Sequence, residues 1–237
     1  KIYKSSTIKN INTQIKMLFT WCVRYKGLTN NPFNMVDRLK LETKKRMDII
    51  TVDEFNKIIE QVDKPDMKLM FKILFWTGLR LGEARALKID DIDFENKSIS
   101  VTKTYTELKE KDIITTPKTK ESIRTIKIDD VLAQEIKDYL DKARYILNND
   151  FVFCYTKPYY LEIFKRIALR VLGKRLRIHD LRHSHASFLI NNGVDVLLIS
   201  KRLGHSNTAM TLNVYSHLYP DRENEAINLI NKLKVNK

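Results

Sequence analysis

Apolar positions recur at helical spacing along most of the chain and outline its elements. Ile8, Ile11, Ile15, Leu18, Phe19, Cys22 and Val23 fall on one stripe, which predicts a helix over 5–26 capped by Ser5 or Ser6. Gly27 ends it, and 29–33, with its proline, reads as a turn. The charged run 40–46 reads as a linker. Thr51 caps a second helix with acids in its first turn, and an almost wholly apolar helix follows over 66–76. That helix stops at Thr77-Gly78-Leu79-Arg80-Leu81-Gly82-Glu83. Alternating apolar residues (Ile99, Val101; Ile126, Ile128) predict strands over 92–101 and 122–128 in a small antiparallel sheet. The polar stretch between them carries Pro117-Lys118-Thr119-Lys120 at its tip. Beyond it come a helix from Asp129 to about Leu147, a short strand over 151–153 and a basic helix over 158–172. Ile178, Leu181, Phe188, Leu189 and Ile190 mark a further helix, followed by short helices over 194–203 and 207–214 and an amphipathic one over 222–234. The fold class expected is mostly α with a small antiparallel β-sheet (α+β). The expected organisation is a helical unit over 1–47 and a larger domain over 48–237.

Charge changes this picture. The chain of 237 residues has a formal charge of +14, and residues 1–50 hold eleven Lys/Arg against three acids. A second basic block runs over 165–182. Such blocks follow a nucleic-acid backbone. The candidate DNA contacts are Lys4, Lys9, Lys16, Arg24, Lys44, Lys45 and Arg46, then Lys120, Arg166, Arg170, Lys174, Arg175 and Arg177. No apolar run reaches the roughly 20 residues of a membrane helix. Cys22 and Cys154 lie far apart without metal-ligand spacing, which fits a reducing, cytosolic setting. The chain starts at Lys1, as expected of a numbering that begins inside a longer protein.

The candidate chemistry lies in the last third. All five histidines (179, 183, 185, 205, 217) fall within one stretch. His179 and Arg182, three apart, project from one helix face and can grip a phosphate, the arginine with two parallel donors. Leu203-Gly204-His205 and Tyr215 follow. Upstream, two glycines around Arg80 deliver that arginine to a chosen place, or Arg80 simply pairs with Glu83.

The ordered set Arg80, Lys118, His179-x-x-Arg182, His205 and Tyr215 resembles the tyrosine recombinases, the family of phage and conjugative-transposon integrases. The resemblance covers the chain from about residue 50, and 1–45 resemble the end of the family's helical core-binding domain. It implies site-specific cleavage and rejoining of duplex DNA through a covalent 3′-phosphotyrosine, without metal or cofactor. In that scheme Arg80 and Arg182 hold the non-bridging oxygens and lower the cost of ionising Tyr215, the nucleophile. His179 takes the tyrosine's proton, His205 donates to the phosphate, and Lys118 protonates the departing 5′-oxygen. The resemblance further implies a tetramer on two DNA segments, exchange of the helix over 222–234 between protomers, an accessory DNA-bending or excision factor, and work on the bacterial nucleoid in the cytosol.

Other readings stay open at this stage. His179-Asp180-x-x-His183 mimics a zinc-binding helix, although Asp is shorter than the Glu such sites use and Arg182 would crowd the metal with charge. A non-catalytic basic DNA-binding protein explains the charge but not the Arg/Lys/His/Tyr set. A type IB topoisomerase-like nicking-closing enzyme shares the chemistry. Tyr219 competes with Tyr215 as nucleophile, and Lys120 with Lys118 as acid.

Overall fold

The structure, a computed structural model, describes residues 3, 5–36, 48–108, 111–117, 119–143 and 151–215. The linker, the sequence-predicted helix over 222–234, Tyr219, Lys4, Lys44, Lys45, Arg46 and Lys118 lie outside the described residues. The chain divides into two compact units, Lys1–Arg46 and Met47–Lys237.

In the first unit α1 (Ser5–Tyr25) ends near Gly27, and Asn31 caps a 3-10 turn, Pro32–Asn34. Phe19 stacks on Phe33 with ring centroids 6.5 Å apart. Ile8, Ile15, Phe19 and Cys22 are half-covered, whereas Ile11, Leu18 and Val23 are exposed.

The second unit opens with α2 (Val52–Glu60), held by a capping box between Thr51 and Glu54 that contributes about 1 kcal/mol. α3 (Pro65–Thr77) buries Met67, Leu69, Met70, Phe71, Ile73, Leu74 and Phe75 and is the central core helix. Each such side chain contributes about 1.5–3 kcal/mol on burial. Gly78 ends α3 at φ 70, and a Cβ there would stand 2.7 Å from the His185 ring and 2.8 Å from Leu203. Only glycine fits that turn. The five-residue α4 (Leu81–Arg85) follows.

β1 (Ile92–Asp93), β2 (Ser98–Val101) and β5 (Arg124–Lys127) form an antiparallel sheet in the order β1-β2-β5, with Ile99 opposite Ile92 and Ile126. The single strand expected over 92–101 is thus two, bent back at Asn96-Lys97. The polar stretch is itself a hairpin, β3 (Thr104–Leu108) with β4 (Lys111–Thr115). Its register pairs Leu108 with Lys111, so Pro117, Thr119 and Lys120 are not at its tip but on the return to β5. Lys120–Ser122 is a 3-10 turn. The hairpin escaped detection because Thr106, Ile113, Ile114 and Thr115 are all exposed and so carry no alternating burial.

α5 (Asp130–Ala143) and α6 (Lys157–Leu172) complete the larger core. Residues 151–153 make one bridge, Lys88 to Phe151, rather than a strand, because Val152 and Phe153 turn into the core. α7 (Asp180–Asn191) packs on α3 and on α8 (Val196–Leu203), which in turn meets α9 (Thr208–Tyr215). Among the described residues no helix is long and apolar enough to cross a membrane.

Candidate active site

The start of α7 is fixed by Asp180. Its carboxylate accepts from the Arg177 backbone N–H at 2.8 Å and from Arg177 Nη2 at 2.7 Å. This sets His179 at the N-cap and Arg182 one turn into the helix. Arg182 is buried, 3% exposed, and donates Nη1 to the Gly78 carbonyl at 2.7 Å and Nη2 to the Leu203 carbonyl at 2.6 Å. Arg80 donates Nη1 to Glu83 at 2.8 Å and Nη2 to the Gly204 carbonyl at 3.4 Å. Arg80 therefore both braces Glu83 and reaches the site.

The two guanidinium groups hang on consecutive carbonyls at the C-terminal end of α8. The negative end of that helix offsets part of their repulsion. Glu83, also buried, supplies the rest. Burial alone would raise its pKa, but hydrogen bonds and charge from Arg124, then the charge of Arg80, hold it below the ordinary carboxylate value. Arg80, Arg124 and Arg182 against one carboxylate leave the cluster positive, as an anion requires. Burial, then the charge of Arg80, brings the pKa of Arg182 down to about 9, which keeps it cationic at neutral pH.

His205 follows directly, its Nδ1 2.8 Å from Oγ1 of the buried Thr211. Burial, then the charges of Arg182, Arg80 and Arg124, pushes its pKa down to about 4. With the Thr211 hydroxyl donating to Nδ1, the neutral ring keeps Nε2–H as a donor.

Tyr215 ends α9 and is 2% exposed, packed with Ala186, Ile190, Ile199 and Leu203. The phenol's hydrogen-bond partner is His183, with Nδ1 2.6 Å from Oη. Its pKa is raised to about 12, because burial outweighs the opposing charge of Arg182. His179 stands edge-on to His183, ring centroids 4.9 Å apart. The residue keeps an exposed face, yet partial burial of the ring, then the charges of His183, Arg182 and Arg80, hold its pKa near 4.

Asp180, the would-be base of a zinc site, is occupied by Arg177, and Tyr215 stands at His183. Among the described residues no three His, Cys, Asp or Glu side chains form a metal-holding group.

Sequence reasoning missed His183, His185, Thr211 and Arg124, although the crowding of histidines was a signal for the first two. His185 is buried beneath Gly78. Its Nε2 accepts from Arg202 Nε at 3.0 Å, while Nδ1 turns toward the Phe75 carbonyl without reaching hydrogen-bond geometry. Burial, then the charge of Arg202, takes its pKa from 6.5 down to about 3. Between those values the unfolded chain binds a proton that the folded one refuses, so stability falls as pH falls through that window. The slope for this group approaches about 1.4 kcal/mol per pH unit. Urea unfolding at pH 7, 6 and 5 should show a shallower loss for His185→Gln than for the unmodified chain. Equal slopes would mean that His185 is not held neutral.

The candidate DNA contacts divide into two groups. Lys9, Lys16 and Arg24 are exposed along one side of α1, and Arg166 within α6 and Arg175 just after it are exposed. Lys174 pairs with Glu54, Arg177 with Asp180, and Arg170 reaches Gln61 at 3.5 Å.

Residues 48–222 match the model of the phage integrase family. The ICEBs1 integrase of Bacillus subtilis is 34% identical over 97% of this chain and 66% of its own length. A XerC-like tyrosine recombinase of Caldanaerobacter subterraneus is 29% identical over 98% of this chain and 67% of its own length. The chain thus spans about two thirds of these curated relatives, and slightly less of the first. The fold is that of the Tn1549 transposon integrase solved with transposon right end DNA (TM-score 0.75, 23% identity, 90% of this chain and 75% of that one). It is also that of the XerH recombinase bound to palindromic difH (TM-score 0.68, 22% identity, 96% of this chain and 68% of that one). With the matched family covering the whole anion cluster and Tyr215, this chain belongs to the phage integrase family of tyrosine recombinases.

Proposed function

We propose that this chain is the DNA-cleaving and rejoining part of a site-specific recombinase, working through a 3′-phosphotyrosine on Tyr215 and needing no metal. The observation that carries this reading is the pair of guanidinium groups on the adjacent Leu203 and Gly204 carbonyls, with His205 next in the chain and Tyr215 within the field of Arg182. A phosphodiester's non-bridging oxygens gain charge during attack, and Arg80 and Arg182 supply fixed positive charge where it develops. The phenol proton leaves toward the histidine pair, directly to His183 or onward to His179. A bound phosphate anion raises the basicity of both rings. Oη bonds to phosphorus as the bond to the 5′-oxygen breaks, and Lys118 provides the proton that the departing oxygen needs. Reversal rejoins the strand.

Support for duplex DNA as partner comes from the charge of +14 and from the solved relatives, which hold DNA. Exposed Lys9, Lys16 and Arg24 suit 1–47 to the role of a core-binding domain's last part. A tetramer in synapsis, exchange of the segment 222–234, an accessory DNA-bending or excision factor and action on the bacterial nucleoid belong to the same proposal.

The test is incubation with labelled DNA of a candidate attachment site in EDTA, followed by denaturing electrophoresis. A protease-sensitive adduct is expected. Adduct that disappears in EDTA and returns with zinc would overturn the metal-free scheme, and binding without any adduct would favour a non-catalytic DNA-binding protein.

A further inference from the structure

We infer that Arg124 is a positioning residue for the strand-transfer chemistry, aligning Arg80, the turn that follows Lys118, and the segment that delivers His205. The inference rests on the proposed function above and deepens it. Arg124 opens β5 on the strand's inward side, in register with the core residue Ile126, and its side chain is 5% exposed. A guanidinium in such a place must be fully partnered.

Its partners belong to three separate segments. Nη1 and Nη2 donate to the Glu83 carboxylate oxygens at 3.2 and 3.0 Å. The same two oxygens accept from Arg80, through Nη1 at 2.8 Å and the backbone N–H at 2.9 Å. Glu83 is thus a shared acceptor, and the direction of Arg80 depends on where Arg124 holds it. Nη1 also donates to the Ser122 carbonyl at 2.9 Å. Ser122 in turn closes on Thr119, backbone to backbone at 3.2 Å and hydroxyl to hydroxyl at 3.0 Å. Thr119 is the residue after Lys118. Finally, Nε donates to the Arg202 carbonyl at 2.7 Å, three residues before His205. At Gly204 a Cβ would lie 2.9 Å from Arg124 Nη1, so that backbone is seated directly on the guanidinium.

All three nitrogens of Arg124 are therefore committed to protein, which separates it from Arg80 and Arg182. It acts through them and through the lysine-bearing turn. Lysine preserves the charge but not the planar fork, so Arg124→Lys should loosen all three segments together.

The experiment measures single-turnover cleavage of ordinary site DNA and of the same DNA with sulfur replacing the bridging 5′-oxygen. A thiolate leaves without a proton, so the second substrate bypasses Lys118. The unmodified chain, Lys118→Ala, Arg124→Lys and the double variant are compared, with DNA affinity and thermal midpoint alongside. Misplacement of reacting groups by about 1 Å costs roughly 10²-fold, and that loss is expected for Arg124→Lys on ordinary DNA. Sulfur should recover part of it, leaving the share transmitted through Arg80. The double variant should be much faster than the product of the two single losses predicts, because both act on one lysine.

A loss that is equal on both substrates and multiplicative in the double variant would mean that nothing passes from Arg124 to the lysine, and would overturn the inference. Thr119→Val cuts one link at an exposed residue and serves if Arg124→Lys does not fold. It should slow ordinary DNA and spare the sulfur-bridged one, and an unchanged rate on ordinary DNA would sink the lysine link. Failure of the unmodified chain to cleave either substrate would instead count against the proposed function. Failure of sulfur to rescue Lys118→Ala would count against lysine as the acid.

Discussion

Tyr215→Phe is expected to form no covalent adduct with site DNA while binding it as tightly as the unmodified chain. The ring sits in a small cluster of Ala186, Ile190, Ile199 and Leu203, and phenylalanine fills the same space. What is lost is Oη and its 2.6 Å contact with His183 Nδ1, a hydrogen bond worth about 1 kcal/mol to stability. The thermal midpoint should therefore shift by only a few degrees while adduct disappears altogether. The burial that pushes the phenol's pKa up to about 12 also means that the free protein holds Tyr215 protonated. Adduct formation should accordingly depend on DNA placing a phosphate on Arg80 and Arg182 and on a histidine receiving the proton. Denaturing electrophoresis reads the adduct, and filter binding reads affinity. Persistence of adduct in Tyr215→Phe, with loss in Tyr219→Phe, would move the nucleophile to Tyr219.

The parts of this site that were legible in the sequence are those whose spacing is local. His179 and Arg182 lie within one helical turn, and Gly78, Arg80 and Glu83 within one cap, so periodicity and glycine placement were enough to group them. The helices were legible for the same reason: α3 is almost wholly apolar, and Thr51 with Glu54 announces the start of α2. The hairpin β3–β4 was not, because Thr106, Ile113, Ile114 and Thr115 are all exposed and adjacent Ile113 and Ile114 give no alternation to read. Arg124 was not recognised either, yet strand alternation carried a signal. An arginine two residues before Ile126 must share its inward face, and an inward guanidinium demands a buried carboxylate that lies 41 residues away at Glu83. His183 lay one position from the assigned Arg182, but its pairing with Tyr215 spans 32 residues and depends on how α9 meets α7. Local spacing cannot supply such a contact.

Arg182→Ala should reduce cleavage by at least about 10³-fold, a larger effect than removing one neutral donor from an oxyanion site, which costs about 10²–10³. The guanidinium fills two roles. Two of its donors bind the Gly78 and Leu203 carbonyls, joining the end of α3 to the end of α8, and the remaining donors and the charge are available to a phosphate. Alanine removes both at once and leaves two buried carbonyls without this partner, each at a cost of about 1–3 kcal/mol. A lowered thermal midpoint should therefore accompany the kinetic loss. Arg182→Lys separates the roles. It keeps a positive charge but cannot span both carbonyls and a phosphate together, so cleavage should fall about 10²–10³-fold with most of the stability and DNA affinity retained. Single-turnover cleavage, urea unfolding and DNA affinity measured on both variants decide the matter. Near-normal cleavage by Arg182→Lys would show that Arg182 serves the reaction as a point charge only, and near-normal cleavage by Arg182→Ala would remove it from the phosphate site.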